Sequence, residues 1–319
     1  MKSSKLGLKS IRIPGSNFPF CSLKFKLVAW LVASLAISLI FFRQFWASLG
    51  TMLSLDWIFG QHHAAPWGVL GLCGIWLWLK RRSIWGVIEP RQNLAFIPLG
   101  LVLVVGAILL PVSQDFLVFQ VLLASLGVFT VLFGKAAKIP SILLGIYGFA
   151  ISFPMMVERF AEDAYSRTTI TPLIGLMTTV GYPLENQGQW VHFTSLSGEP
   201  ISVIITAACA GPVTMGVFLA VFALMMLDIP LPPKKAAWLF LFGVVGTWFQ
   251  SLIRLIILMV VGYHWGEGAM WTTHFWTIYI LFPLWYLFFV FIYFWQAGTM
   301  SRIRSGAGIQ VERALGYDG

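Results

Sequence analysis

Charge is scarce in this chain. Only 10% of its 319 residues are Asp, Glu, Lys or Arg, whereas 58% are hydrophobic and 16% aromatic. A soluble domain so short of polar side chains has nothing with which to cover its surface, so soluble, disordered and collagenous classes are excluded. Cysteine is also sparse: Cys21, Cys73 and Cys209 lie far apart without CxxC spacing, which excludes a disulfide framework and a cysteine zinc site. His62 and His63 lack cysteine or carboxylate partners at metal-ligand spacing and His192 stands isolated, so neither a metal nor any other cofactor is expected. Internal repeats, a Gly-rich phosphate loop and low-complexity tracts are missing too. Pro98, Pro154, Pro212 and Pro283 are scattered, without the paired helix interruptions that mark many transporters.

Long uncharged runs take the place of these features. Residues 92–114, 116–134, 139–157, 200–227 and 268–301 carry no charge, and each meets or exceeds the roughly 18 to 20 residues that span hydrocarbon. The pattern predicts an all-α, polytopic integral membrane bundle of eight helices, at 25–42, 62–79, 94–111, 116–134, 140–157, 209–227, 236–262 and 274–295. One transmembrane domain, 27–297, stands between a basic segment, 1–26, and a tail, 298–319. The start resembles a signal peptide, but its apolar run ends in Phe41-Phe42-Arg43-Gln44 without a small-residue cleavage site, so an uncleaved first helix is expected.

The net charge of +9 is mostly topology. With the N-terminus inside, the inner segments hold Lys80, Arg81, Arg82, Arg91, Lys135, Lys138, Lys234, Lys235 and the basic residues of both ends. The outer segments keep only Arg43, Arg159 and Arg167 but most of the acids. This is the positive-inside bias expected of a cell-membrane protein with both termini cytoplasmic, and it removes the motive for a nucleic-acid partner. The longest outer segment, 158–205, either caps a site on the outer face or serves as a solvated connector.

Within the predicted seventh span, Thr247, Gln250, Ser251 and Arg254 recur at i, i+3, i+4 and i+7, so four polar side chains share one face of an otherwise apolar helix. Lipid penalises such a stripe, and a buried guanidinium points to a partner or a wet cavity; the competing reading is an arginine that snorkels to the interface. Cys209 lies in Ala207-Ala208-Cys209-Ala210-Gly211-Pro212, where Gly211 lets the backbone turn and Pro212 suits a first helical position. Free N–H groups at that helix end would face the thiol, although a cysteine among alanines is also ordinary small-residue packing. His274 opens the eighth span between Trp271 and Trp276, a place that also suits a plain aromatic belt. Jointly, three helices bring a thiol, a guanidinium and an imidazole to one membrane depth. Cys73, mid-span and without a polar stripe, reads as packing.

These residues resemble those of the exosortase and archaeosortase family, multi-pass membrane enzymes that process proteins bearing a C-terminal sorting signal. The resemblance rests on Ala208-Cys209-Ala210-Gly211, Ser251-Leu252-Ile253-Arg254-Leu255 and His274. It implies a nucleophilic Cys209, with Arg254 and His274 completing the catalytic site; the polar stripe adds Thr247, Gln250 and Ser251, and the cysteine's own segment adds Gly211, as supporting or substrate-lining residues. It also implies exported protein substrates carrying a short motif, a transmembrane helix and a basic end, and a thioester intermediate resolved by water, an amine or a lipid-linked acceptor. Two positions depart from the family pattern: Ser251 replaces the usual asparagine, and Ala210 a frequent serine or threonine. The rival readings are a transporter or flippase that holds a lipid-linked or anionic substrate on Arg254, and a non-catalytic membrane assembly factor.

Overall fold

The computed structural model describes residues 23–54, 64–87, 94–110 and 116–298. Cys21, His62, His63, Arg91 and the C-terminal tail lie outside these described residues. The helices, in chain order, are α1 (Leu23–Phe41), α2 (Arg43–Met52), α3 (Ala64–Leu79), the short α4 (Arg81–Gly86), α5 (Phe96–Leu109) and α6 (Leu117–Phe133). A 3-10 turn then leads into α7 (Lys138–Val180), which is followed by strands β1 (Glu185–Gln187), β2 (Trp190–Thr194) and β3 (Pro200–Ile204). The single turn α8 (Ala207–Ala210), α9 (Pro212–Asp228) and the long α10 (Pro233–Gln296) complete the chain. By length and composition, Leu23–Phe41, Leu117–Val180 and Pro233–Gln296 are apolar enough to cross a membrane, accompanied by three shorter apolar helices.

Apolar side chains on every face leave helix packing to small residues, because lipid offers no hydrophobic drive between helices. Gly100 of α5 and Gly127 of α6 meet backbone to backbone: a Cβ on Gly127 would stand 2.7 Å from the Gly100 carbonyl oxygen. Gly216 of α9 meets Ala150 of α7 in the same way, its Cβ position 2.6 Å from that carbonyl oxygen. Around these crossings α3, α7 and α9 share a core of Val69, Cys73, Leu143, Tyr147, Ala150, Ile151, Ala220 and Leu224.

Gly266 divides α10, with φ 84° and ψ 177°. That conformation is essentially closed to other residues, and it reverses the chain into two antiparallel arms, 233–265 and 267–296. The pairing shows in the contacts, because partners rise in number as the first arm's fall: Gly262 lies beside Met270, Gly246 against the Trp285 ring, and Gly243 against Phe289. Trp285 also donates its indole N–H to Thr247 Oγ1 at 3.0 Å.

Segment 158–205 is more ordered than an open connector. Helix α7 runs through it to Val180, kinked at Ala161 where φ is −142°. Beyond it, three strands pair antiparallel in the order β1-β2-β3, with Val191 opposite Val203 and Phe193 opposite Ile201. The all-α expectation is therefore corrected by a small sheet. Its physical origin is the two-residue alternation of Trp190-Val191-His192-Phe193-Thr194, which buries Val191 and Phe193 and leaves Trp190 and Thr194 exposed. The sheet packs on the second half of α7 and on the hairpin, in a core of Ile170, Leu173, Val191, Phe193, Ile201, Leu255 and Met270. Leu196 N–H donates to the Tyr263 carbonyl at 2.8 Å, and Glu199 Oε2 accepts from the Glu267 N–H at 3.3 Å. A carboxylate thus sits at the start of the second arm, where the helix dipole favours negative charge.

Candidate active site

The expected helix start at 209 is displaced. Cys209 belongs to the separate turn α8, and α9 begins only at Pro212, because Gly211 adopts φ 107° and ψ 21°, a left-handed conformation that interrupts the helix. Within the turn, the Cys209 N–H donates to the Thr206 carbonyl at 3.0 Å, and the Thr206 hydroxyl points at the sulfur, Oγ1 to Sγ 3.8 Å. The thiol is free and only partly buried, and it packs beside the core beneath the sheet.

Gly211 is constrained twice. Beyond its positive φ, a Cβ there would overlap Ser251 Oγ on α10 and stand 3.2 Å from Thr214 Oγ1. The Cys209 turn is thereby pressed directly onto the polar stripe of the hairpin. Thr214 Oγ1 and Ser251 Oγ lie 3.5 Å apart, Ser251 donates to the Thr247 carbonyl at 3.1 Å, and Tyr286 of the second arm donates to the Thr214 carbonyl at 2.7 Å. These bonds tie the turn, α9 and both arms together at one point.

All four stripe residues face protein: Thr247, Gln250, Ser251 and Arg254 are buried, with exposures of 0%, 6%, 2% and 6%. Arg254 reaches across the hairpin to His274, its Nη2 3.0 Å from Nε2 and 3.2 Å from Nδ1. A guanidinium has only donors, so the imidazole nitrogen that meets it holds a lone pair. Phe282 offers a ring face 5.6 Å from the guanidinium carbon, and the Cys209 thiol lies within electrostatic reach of the same guanidinium. Trp271 stands edge-on to His274 at 5.5 Å between ring centroids.

Buried polar groups normally find partners, and leaving one unmade costs about 1–3 kcal/mol. Among the described residues, both side-chain polar atoms of Gln250 and the Nε of Arg254 are buried without a hydrogen bond.

Thus Cys209, Arg254 and His274 gather at one end of the bundle, with Gly211, Ser251, Thr247 and Gln250 beneath or beside them. The remaining candidates lie elsewhere. Cys73 is buried, its Sγ 3.8 Å from the Leu143 carbonyl oxygen, and His192 pairs with Ser202, Nδ1 to Oγ 2.8 Å, while stacking on Trp190. Sequence reasoning passed over Thr206, although its place three residues before Cys209 is a helical contact spacing. It also passed over Thr214, Phe282 and Tyr286, which only the tertiary packing brings to the site.

Compared with known proteins, residues 57–291 match the family model for transmembrane exosortase of the EpsH type, a stretch that contains Cys209, Arg254 and His274. No curated protein and no solved structure matches the chain. With most of its length inside that match, the chain belongs to the transmembrane exosortase family, membrane-embedded enzymes of protein sorting.

Proposed function

We propose that this protein is a membrane-embedded cysteine transpeptidase or protease that cleaves the C-terminal sorting signals of exported proteins at the outer face of the cell membrane. One observation carries the reading: Arg254, a buried cation, donates to the His274 ring and lies within electrostatic reach of the Cys209 thiol. Family membership gives the transport reading no support.

In this reading Cys209 Sγ attacks the scissile carbonyl carbon, an S–C bond forms, and the thiol proton passes to the lone-pair nitrogen of His274 as the Arg254 N–H turns from that nitrogen to the developing oxyanion. The oxygen of the tetrahedral intermediate takes its negative charge next to Arg254, where low dielectric strengthens the interaction. The C–N bond then breaks, and the leaving amine departs with the proton from His274, releasing the C-terminal fragment. An acceptor N–H or O–H gives its proton back to His274 and attacks the thioester, freeing the thiolate. An amine or lipid-linked acceptor makes the reaction a transfer, and water makes it hydrolysis. The amide of Gln250 supports the substrate backbone, and the sheet with the second half of α7 covers the site from above. The apolar segment of the sorting signal partitions into the bilayer beside the helices, which presents the cleavage point at the interface.

The test is intact-mass analysis of membrane-anchored substrates from cells carrying wild type or Cys209→Ala, with equal accumulation of both forms checked. Full-length substrate accumulating only in the variant is expected, and the wild-type product's mass separates transfer from hydrolysis. Unchanged processing in the variant would remove Cys209 as the nucleophile.

A further inference from the structure

An apolar cavity in the bundle lies apart from the candidate catalytic residues. It has a volume of about 580 Å³ and is walled by α1, α3, α4, α6 and α7, including Trp30, Gly74, Trp78, Phe129 and Tyr147, with Arg81 in its lining. Its floor is buried, Cys73 at 6% and Leu143 at 4%, whereas Trp78 at its edge is 65% exposed. Arg81 stands where α3 passes into α4, at the end of the bundle marked by the Lys80–Asp228 ion pair, 2.6 Å. Asp228 ends α9, so this region is about 24 Å along that helix from Pro212 and the cysteine turn, at 1.5 Å per residue.

Shape and charge together select an occupant. A helix about 10 Å wide would fill 580 Å³ with only about five residues, so the cavity is too small for a membrane-crossing peptide segment but fits a thin, flexible hydrocarbon chain. Arg81 holds its guanidinium over the Trp78 ring at 4.1 Å and donates to the Trp78 carbonyl at 2.8 Å, which fixes a cation at the rim. Arg82 follows it, and Lys138 begins the wall that contributes Pro140 to the cavity. Among the described residues Lys80 is neutralised by Asp228, whereas no ion pair holds Arg81 or Arg82. A basic rim over an apolar pocket between helices matches a phosphate head on an acyl chain, and it disfavours the basic end of a sorting signal.

We infer that this cavity is a binding site for one anionic phospholipid, an acyl chain lying among the aromatic walls and the phosphate resting on Arg81 and Arg82. Gly74 allows a direct test, since nothing stands within 4 Å of a Cβ there and Gly74→Leu fills the cavity from its own wall while leaving Arg81 and Arg82 unchanged. The full chain is reconstituted in nanodiscs holding equal phosphatidylglycerol and phosphatidylcholine, then released into detergent and read by native mass spectrometry. Wild type is expected to retain one phosphatidylglycerol in preference to phosphatidylcholine. Arg81→Gln or Arg82→Gln should cut that preference roughly fivefold each, from about 1 kcal/mol per basic residue at a charged membrane surface. Gly74→Leu should lose the retained lipid while melting like wild type. Equal retention of both lipids by wild type, or full retention by Gly74→Leu, overturns the assignment. So does a sorting-signal peptide that displaces the lipid from wild type, since the cavity would then belong to the substrate.

Discussion

A guanidinium at position 254 does more than supply charge. Its Nη2 meets the His274 ring while its carbon stands over Phe282, and a planar fork makes these contacts in a way that a lysine ammonium on a flexible stem does not. Arg254→Lys is therefore expected to keep the protein folded and lower processing by about 10², the scale of losing one oxyanion donor. Turnover of a purified sorting-signal substrate checks it, and near wild-type turnover would show that a point charge suffices. The stripe that places Arg254 was legible in the sequence, because Thr247, Gln250 and Ser251 recur at helical spacing. Its contacts were not, since Phe282 and Tyr286 belong to the other arm of the hairpin. Cys209 and Gly211 show the same division. The glycine's freedom to turn was readable from its type, but its contact with Ser251 depends on how two helices meet.

The hairpin of α10 rests on one residue. Gly266 adopts a conformation reserved for glycine and lies where a Cβ would stand 2.7 Å from Glu199 Oε2, whereas Gly268, two residues on, has nothing within 4 Å of its Cβ position. Gly266→Ala should destabilise the protein by about 1–3 kcal/mol through backbone strain, and Gly268→Ala should be neutral or stabilising by up to about 1 kcal/mol through helix propensity. Apparent melting temperatures in detergent are expected to move in opposite directions, and a shared direction would argue against the strained turn. Hydropathy marks the two arms as separate spans near 236–262 and 274–295, and Gly266 falls in the gap between them. The sheet escaped notice because three short strands in a polar segment carry no membrane signal. Their alternation was present in Trp190 to Thr194 but short, and it forms strands only where the hairpin and α7 supply an apolar surface.

The whole molecule has two distinct ends. The thiol, the guanidinium and the imidazole gather under the sheet, and Arg81, at the rim of the apolar cavity, and Arg82, next in the chain, lie near the Asp228 end of α9. The proposed function, with the charge along the chain, puts the first end outside the cell and the second inside. A membrane-impermeant maleimide applied to intact spheroplasts of a Cys21→Ser form should therefore label Cys209 and spare Cys73, which is buried within the bundle. Labelling of Cys209 only after permeabilisation would invert the orientation.

Composition, uncharged runs and the placement of lysine and arginine were enough to make this a helical membrane protein, because the bilayer penalises charge and unpaired backbone so heavily that few alternatives survive. Local spacing was enough to single out Cys209, Arg254 and His274 as candidates. Tertiary structure alone decided that Arg254 donates to His274 across a hairpin, that Gly211 packs the cysteine turn against Ser251, and that a sheet lies above them. Each of these depends on contacts between residues far apart in the chain, and periodicity records which face a side chain occupies without recording what that face will meet.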